Sequence, residues 1–597
     1  MPTADATQFI ELHRLQPHDS TMNRSPPQSP DLGPDVSVAD TRDSHLNRST
    51  VRKLDFILLP FLSLLFLFNS LDKSNIGSAE TGHFTDDIGL PHSALNTSVA
   101  CFFAVFVTLQ PVGAAFGRKY GMARWVPGCM ALWGLCTALH VTIREEWQLV
   151  TLRVLVGALE AGFYPTTVSY LSLFYTKFEF AKRLGLFYGQ AAIAGALGGL
   201  LSWAVYSHFP DPPTSPDGPA VLSEPGRTGW KSWQVLFLIE GSVTMMIAVI
   251  GFFWLPHSAD TAWFLSKDER AWAEERIRRD RQVPSDFISS VRRCSLYDDE
   301  GDEEDTSQGP HLSFAQGDNE ESSRSLLAHK STSRNRNRRM SAVSAVSVTA
   351  DTGLSRADVL SAFLDWKVWY LLVCNILSAI PATAFSVFLP LVIKGIASSE
   401  HGELPPARAN LLTIPPFLGG AIVLWTFTAW SDRQQVRLTP ILWGLGILLT
   451  GLISTVLLPT SSYTLRYAAL TILLSGSFIA SPLTVAWLTN NIPEPGKRAI
   501  VLGINGWGNL SGVLSALLFA PRYEKDGYMV PFYVTLVCVL VAFVGFWIFR
   551  ALIIATNSRR ETLSNKQDSE DAHGEDSGED AGHVPSGDDR LNFRYSL

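Results

Sequence analysis

VTLVCVLVAFVGFWIFRALII, residues 534–554, offers no polar face at helical spacing. At ~1.5 Å per residue a helix of this length crosses roughly 30 Å of hydrocarbon. A soluble helical repeat keeps a polar outer face, which this stretch lacks, so a membrane is its expected surroundings. Eleven other segments share its character: near 54–71, 94–116, 125–141, 148–174, 184–206, 233–255, 366–393, 408–430, 438–458, 464–489 and 499–520. With the quoted stretch, extended to 531–555, they make twelve expected transmembrane spans. The expected fold class is an all-α polytopic membrane protein.

Composition points the same way, since 46% hydrophobic against 17% charged residues sits badly with a set of soluble domains. The net charge of -8 comes from acids concentrated in the tails and central loop, and no nucleic-acid footprint is visible. Six cysteines are scattered, five of them (Cys101, Cys129, Cys136, Cys374 and Cys538) inside expected spans, with neither paired metal spacing nor a disulfide framework. A P-loop, an HExxH helix and a serine-nucleophile elbow are all missing from the sequence. The chain therefore reads as no enzyme, needs no cofactor or metal, and is not an ATP-driven pump by itself. The first apolar run follows about fifty polar residues and precedes no small-residue cleavage pattern, so span one is expected to act as its own insertion signal.

Residues 1–53 (rich in Pro, Ser, Asp and Asn) and the acidic 557–597 read as disordered tails. Residues 54–256 and 366–556 read as two six-helix bundles, joined by a central loop at 257–365 that is partly helical and then disordered. Within that loop Asp268 to Arg281 has the pattern of an amphipathic helix holding the bundles together, and 283–350 carries acidic runs followed by Ser/Arg clusters. Six spans, a long loop and six more spans is the layout of transporters built from two halves. An even number of spans places both tails on one side. The basic pairs Arg52 and Lys53, Arg118 and Lys119, Lys182 and Arg183, and Lys497 and Arg498 abut that side, which the positive-inside rule makes the cytoplasm.

A charge near the bilayer centre costs roughly 2.5 to 3.5 kcal/mol on insertion scales, so ionisable residues inside spans need a reason to be there. In the first half the spacing singles out Asp72, Lys73, Arg153 and Glu160. Arg153 and Glu160 are seven apart, about two turns, and project from one face of span four. Asp72 and Lys73 end span one, either pointing inward at a cavity or capping the helix at the outer interface. If spans one and four meet, two acids and two cations share one cavity. Burial and a neighbouring cation act in opposite directions on a carboxyl's hold on its proton, and their balance can poise it near neutrality. An anion arriving at Lys73 and Arg153 competes with the acids for those cations and favours their protonation, which couples substrate to proton. The alternative is a set of paired charges that only fixes helix packing. Gln190, Asn375 and Asn509 are further candidates for substrate binding, although helix-to-helix bonding is the commoner fate of such residues. Gly113 and Gly117 in span two and the run Ala191 to Gly199 in span five permit close helix approach, and Pro415 and Pro416 are expected to kink span eight.

The run Leu71 to Ala79 (LDKSNIGSA), with Gly82 and Asp87 to Leu90, resembles the span-one signature of the anion:cation symporter family of the major facilitator superfamily, in its fungal allantoate, nicotinate and pantothenate permease branch. The likeness covers nearly all the membrane portion. It extends to Arg153 to Pro165 (RVLVGALEAGFYP), Phe264 to Arg276 (FLSKDERAWAEER), Trp366 to Trp369, Asn410 to Pro416 (NLLTIPP), Ser431 to Arg433 (SDR) and Asn592 to Tyr595 (NFRY). The resemblance implies the major facilitator fold. It also implies proton coupling by Asp72 and Glu160, and contact of the organic anion with Lys73, Arg153 and Gln190. Two departures stand out. The span-one cation is usually arginine, and Lys73 offers a point charge in place of a planar fork. The loop after span two keeps only Gly117 to Lys119 (GRK), so Asp432 and Arg433 alone resemble the acid and base of a cytoplasmic gate latch. The expected function is proton-coupled symport of a small organic anion, such as a vitamin acid or ureide acid. The expected location is the plasma membrane, with an intracellular membrane as the other option. Export of an anionic secondary metabolite and non-transporting nutrient sensing are the competing functions.

Overall fold

The computed structural model of the chain describes residues 34–209, 230–281, 356–401, 404–459, 462–492, 495–524, 526–573 and 594–596. Most of the central loop expected to be disordered lies outside them. Among the described residues every regular element is helical, and ten helices are long and apolar enough to cross a membrane. The other two expected spans are helical as well: span three is Met122–Leu139, and span four is Glu146–Glu160 followed by Phe163–Leu171. Span four breaks just ahead of Pro165, which lacks an N–H and whose ring crowds the carbonyl four residues earlier. The same device divides span eight into Pro406–Leu411 and Ile414–Gln434, at the expected Pro415 and Pro416.

Span one differs from its expected extent. The helix does not end at residue 71 but runs on as Leu59–Thr81, so Asp72 and Lys73 lie within it and do not cap its end. Its last ten residues include five polar side chains that are buried, Asp72, Ser74, Asn75, Ser78 and Thr81. Hydropathy stops at the first charge, whereas a helix facing the interior of a bundle carries on. The helix also extends backwards through a π-helical turn, Leu54–Leu58, into Pro34–Lys53. The expectation of disorder is therefore corrected for Pro34–Lys53. It is corrected too for the last span, which continues to His573, and for Arg594 to Ser596, which pack against the second half.

Within the first half, span three packs on span six, span one on span five, and span two on span four. In the second half, span nine packs on span ten and span seven on span twelve. The halves meet through spans five and eight, one and seven, and two and eleven. At the end away from the chain termini, hydrogen bonds cross between halves. Asn96 of span two donates to the carbonyls of Ala516 and Phe519 at 2.6 and 2.9 Å, and Asn410 of span eight donates to the Thr81 hydroxyl at 2.8 Å. At the terminal end, among the described residues, Arg183 pairs with Asp55 and Arg437 with Asp432, each within one half, while Arg276 and Asp365 of the central loop pair with Glu179 and Lys497.

One contact at the joint between halves is tight enough to be decisive. A Cβ added at Gly77 of span one would stand 1.7 Å from the Val387 carbonyl oxygen of span seven, a distance no side chain tolerates. Gly77→Val is thus expected to leave each half folded while preventing closure at the far end. Labelling of Asn96→Cys by a membrane-impermeant thiol reagent should then rise severalfold over the same cysteine in an otherwise unchanged chain. Equal labelling would contradict the closing role of this contact.

The amphipathic helix is observed as Lys267–Arg281, and it is docked on the first half. Glu269 accepts from Ser49 at 2.6 Å and from Lys53 at 2.7 Å, while Arg276 binds Asn47, Glu179 and the Phe174 carbonyl. Burial pushes the Glu269 carboxyl up, but the bonds from Lys53, Ser49 and the Ser266 amide outweigh it and hold it at about 2. Because the folded value lies below the ordinary 4.5, its contribution is complete above 4.5 and is lost as pH falls toward about 2. Hydrogen exchange over 267–281 is expected to be independent of pH near neutrality once corrected for intrinsic rates, and Glu269→Gln should raise it at neutral pH.

Candidate functional site

Arg153, Gly157 and Glu160 share one face of span four, all buried. Gly157 lets span two come close, since a Cβ there would lie 2.7 Å from the Phe102 carbonyl. A second small-residue joint, Gly113 on Gly162, pulls the same two helices together further along. From span one, Lys73 reaches this face. Its ammonium sits 3.4 Å from Glu160 Oε2, donates to Asn69 Oδ1 at 3.0 Å, and lies 4.8 Å from the centre of the Phe106 ring. Glu160 is wholly buried, with Lys73 as its ion-pair partner, while Lys73 keeps 19% of its side chain exposed. The spacing argument is met: Asp72, Lys73, Arg153 and Glu160 come together between spans one and four.

Arg153 donates to the backbone carbonyl of Asp72 at 3.4 Å, so the guanidinium is anchored to span one through the main chain. The Asp72 carboxylate receives a long bond from Thr137 of span three, 3.4 Å. Arg153 and Lys73 both line a small cleft walled by Val99, Phe102 and Phe103 of span two and Val387 of span seven. Two cations thus face one space between the halves, each backed by an acid.

The structure adds a fifth charged member. Glu240 of span six is 1% exposed and interacts electrostatically with Asp72, Arg153 and Glu160. It falls inside the segment 233–255, and the cost of burying a charge there applies to it as much as to Glu160. The signal was in the sequence and needed only the same rule. His140, at the end of span three, is also fully buried, bonded through Nδ1 to the Cys136 carbonyl at 2.8 Å and stacked on Phe237. Its position at the edge of span three gave no such signal.

The remaining expected residues are placed differently. Gln190 is half-buried on span five, and among the described residues no hydrogen bond joins it to the cluster. Asn375 donates to Asn505 of span eleven at 3.4 Å, and Asn509 donates to the Gly506 carbonyl of its own span at 2.9 Å. Asn375 follows the helix-to-helix alternative, whereas the Asn509 bond stays within its own span. Of the two expected gate residues, Asp432 pairs with Arg437, which also donates to Ser431, while Arg433 is exposed. Arg437 follows the turn after span eight, where the left-handed Gln435 reverses the chain and brings it back onto Asp432.

The sequence model of the Major Facilitator Superfamily matches residues 62–516, which take in the cluster and most of both halves. The chain belongs to this superfamily. Similar proteins include the major facilitator-type transporter hxnP of Emericella nidulans, 27% identical over 85% of this chain and 86% of that one. The high-affinity nicotinic acid transporter of Saccharomyces cerevisiae is 25% identical over 95% and 90%. Among solved structures, the proton:xylose symporter XylE aligns with a TM-score of 0.52 at 13% identity, over 82% of this chain and 95% of that one. A bacterial homologue of the human lysosomal transporter Spinster, in an inward-facing and unoccupied conformation, aligns with a TM-score of 0.53 at 14% identity, over the same shares. The all-helical arrangement is thus that of major facilitator transporters, which are not enzymes, and this chain is a multi-pass membrane transporter.

Proposed function

We propose that this transporter carries a small organic anion, a carboxylate such as a vitamin acid or ureide acid, together with protons across the plasma membrane. The observation that carries the reading is the cleft between the halves that holds Lys73 and Arg153 side by side, with Glu160 buried against Lys73. An incoming carboxylate binds these cations only by loosening their hold on the acids. An acid that loses its cation in a low-dielectric interior takes up a proton, so anion and proton load together. The similarity to a nicotinic acid transporter supports a carboxylate as cargo. Asp72 and Glu160 bind the proton, Lys73 and Arg153 the anion. Gln190 reaches the anion from span five on rocking of residues 54–256 against 366–556. Asp432, with Arg437, latches the cytoplasmic end, where both termini lie.

The test is uptake of a panel of radiolabelled small carboxylates by permease-deficient cells expressing the chain. At least one carboxylate should accumulate, more so at acidic external pH, and a protonophore should abolish the accumulation. Accumulation that a protonophore increases would indicate export. A panel without any uptake, in cells that show the chain at the surface, would overturn the reading.

A further inference from the structure

Arg594 to Ser596 do not hang free. They seat in a cleft at the terminal end of the second half, built by the start of span seven (Lys367), the end of span ten (Trp487 and Asn491) and the end of span twelve (Asn557 and Arg560). Two asparagine side chains read this segment in succession. Asn557 Nδ2 donates to the Tyr595 carbonyl at 2.9 Å, and its Oδ1 accepts from the Tyr595 amide at 3.0 Å. Asn491 Oδ1 accepts from the Ser596 amide at 2.7 Å, and its Nδ2 donates to the Ser596 hydroxyl at 2.9 Å. The Tyr595 ring, 5% exposed, has two cations close by, with Lys367 Nζ 4.7 Å and the Arg560 guanidinium 4.8 Å from its centre. Its hydroxyl accepts from Lys367 at 2.7 Å, and the Trp487 indole donates to the Ser596 carbonyl at 2.8 Å.

We infer that this cleft is a peptide-binding site whose ligand is the chain's own Arg594-Tyr595-Ser596, and that its occupancy clamps the inner half of span ten. An asparagine amide that both donates to and accepts from one residue of a peptide recognises extended backbone. An aromatic ring within reach of two cations supplies the anchor. The segment helical over Ala480–Asn491, which carries Trp487 and Asn491, also touches span five of the first half. The tail therefore holds a part of span ten that meets both halves. Because the segment is tethered, its effective concentration at the cleft is high, and a few bonds suffice to keep it seated. The inference stands on the geometry of the tail and is independent of the identity of any transported anion.

Hydrogen exchange on the full-length chain in lipid nanodiscs tests it. Tyr595→Ala should raise exchange at least tenfold over 485–492, at the start of span seven and around Asn557, leaving span three unchanged. Tyr595→Phe keeps the ring near the cations and loses the hydroxyl, so its effect should be smaller. A short thiol cross-linker should join Asn491→Cys to Ser596→Cys in high yield, and not either cysteine alone. Unchanged exchange at span ten in Tyr595→Ala, or absence of the cross-link in a folded chain, would overturn the inference. Should Tyr595→Ala fold poorly, the cross-link and the Tyr595→Phe comparison decide the matter.

Discussion

Glu160→Gln is expected to stop net proton-driven uptake while leaving exchange of internal for external anion intact. The substitution keeps size and a hydrogen-bonding oxygen but cannot change charge. Lys73, 3.4 Å away, then has no carboxylate to release when the anion arrives and none to return to when it leaves. Net symport requires the empty carrier to shed its proton and turn over. Exchange does not, because the loaded carrier shuttles in both directions. The measurement is the ratio of net uptake to counterflow for one carboxylate. A fall of at least tenfold in that ratio is expected, and an unchanged ratio in a normally expressed variant would show that Glu160 only packs the helices.

Arg153→Ala is expected to act on binding. Arg153 is 4% exposed, tied to the Asp72 carbonyl and facing the cleft beside Lys73. Removing one partner from a buried, hydrogen-bonded charge group costs about 2 kcal/mol or more, or roughly 30-fold or more in apparent affinity. KM should rise by that factor, and the pH dependence of the residual uptake should persist, because Glu160 and Lys73 still form their pair. A loss confined to maximal rate, with KM unaltered, would place Arg153 outside the anion's reach. The contrast between the two variants separates the proton from its passenger.

Much of this was readable before any coordinates. Apolar segments long enough to span a bilayer mark themselves, and the cost of an intramembrane charge makes Asp72, Lys73, Arg153 and Glu160 conspicuous. Helical spacing alone put Arg153 and Glu160 on one face, and they share it. What hydropathy obscured was the true end of span one: it registers average polarity and cannot tell a buried polar face from an exposed one. The cost of an intramembrane charge marks Glu240 as it marks Glu160, since both lie inside apolar segments. The pairing of Asp432 with Arg437 depends on a reversal at Gln435 that residue spacing does not reveal. The seated tail was hidden for a related reason. Its acidic, Gly/Ser-containing surroundings read as unstructured, and only tertiary contact with three helix ends shows that Tyr595 has a place.

The claim at the centre of this account is that anion and proton move together through the buried cluster. Its most direct test is proton flux in proteoliposomes containing the purified full-length chain and an internal pH dye, with no imposed gradient. External addition of a transported carboxylate should acidify the interior with wild-type chain, and Glu160→Gln should show anion exchange without acidification. Anion entry with no proton movement in the wild-type chain would contradict the account.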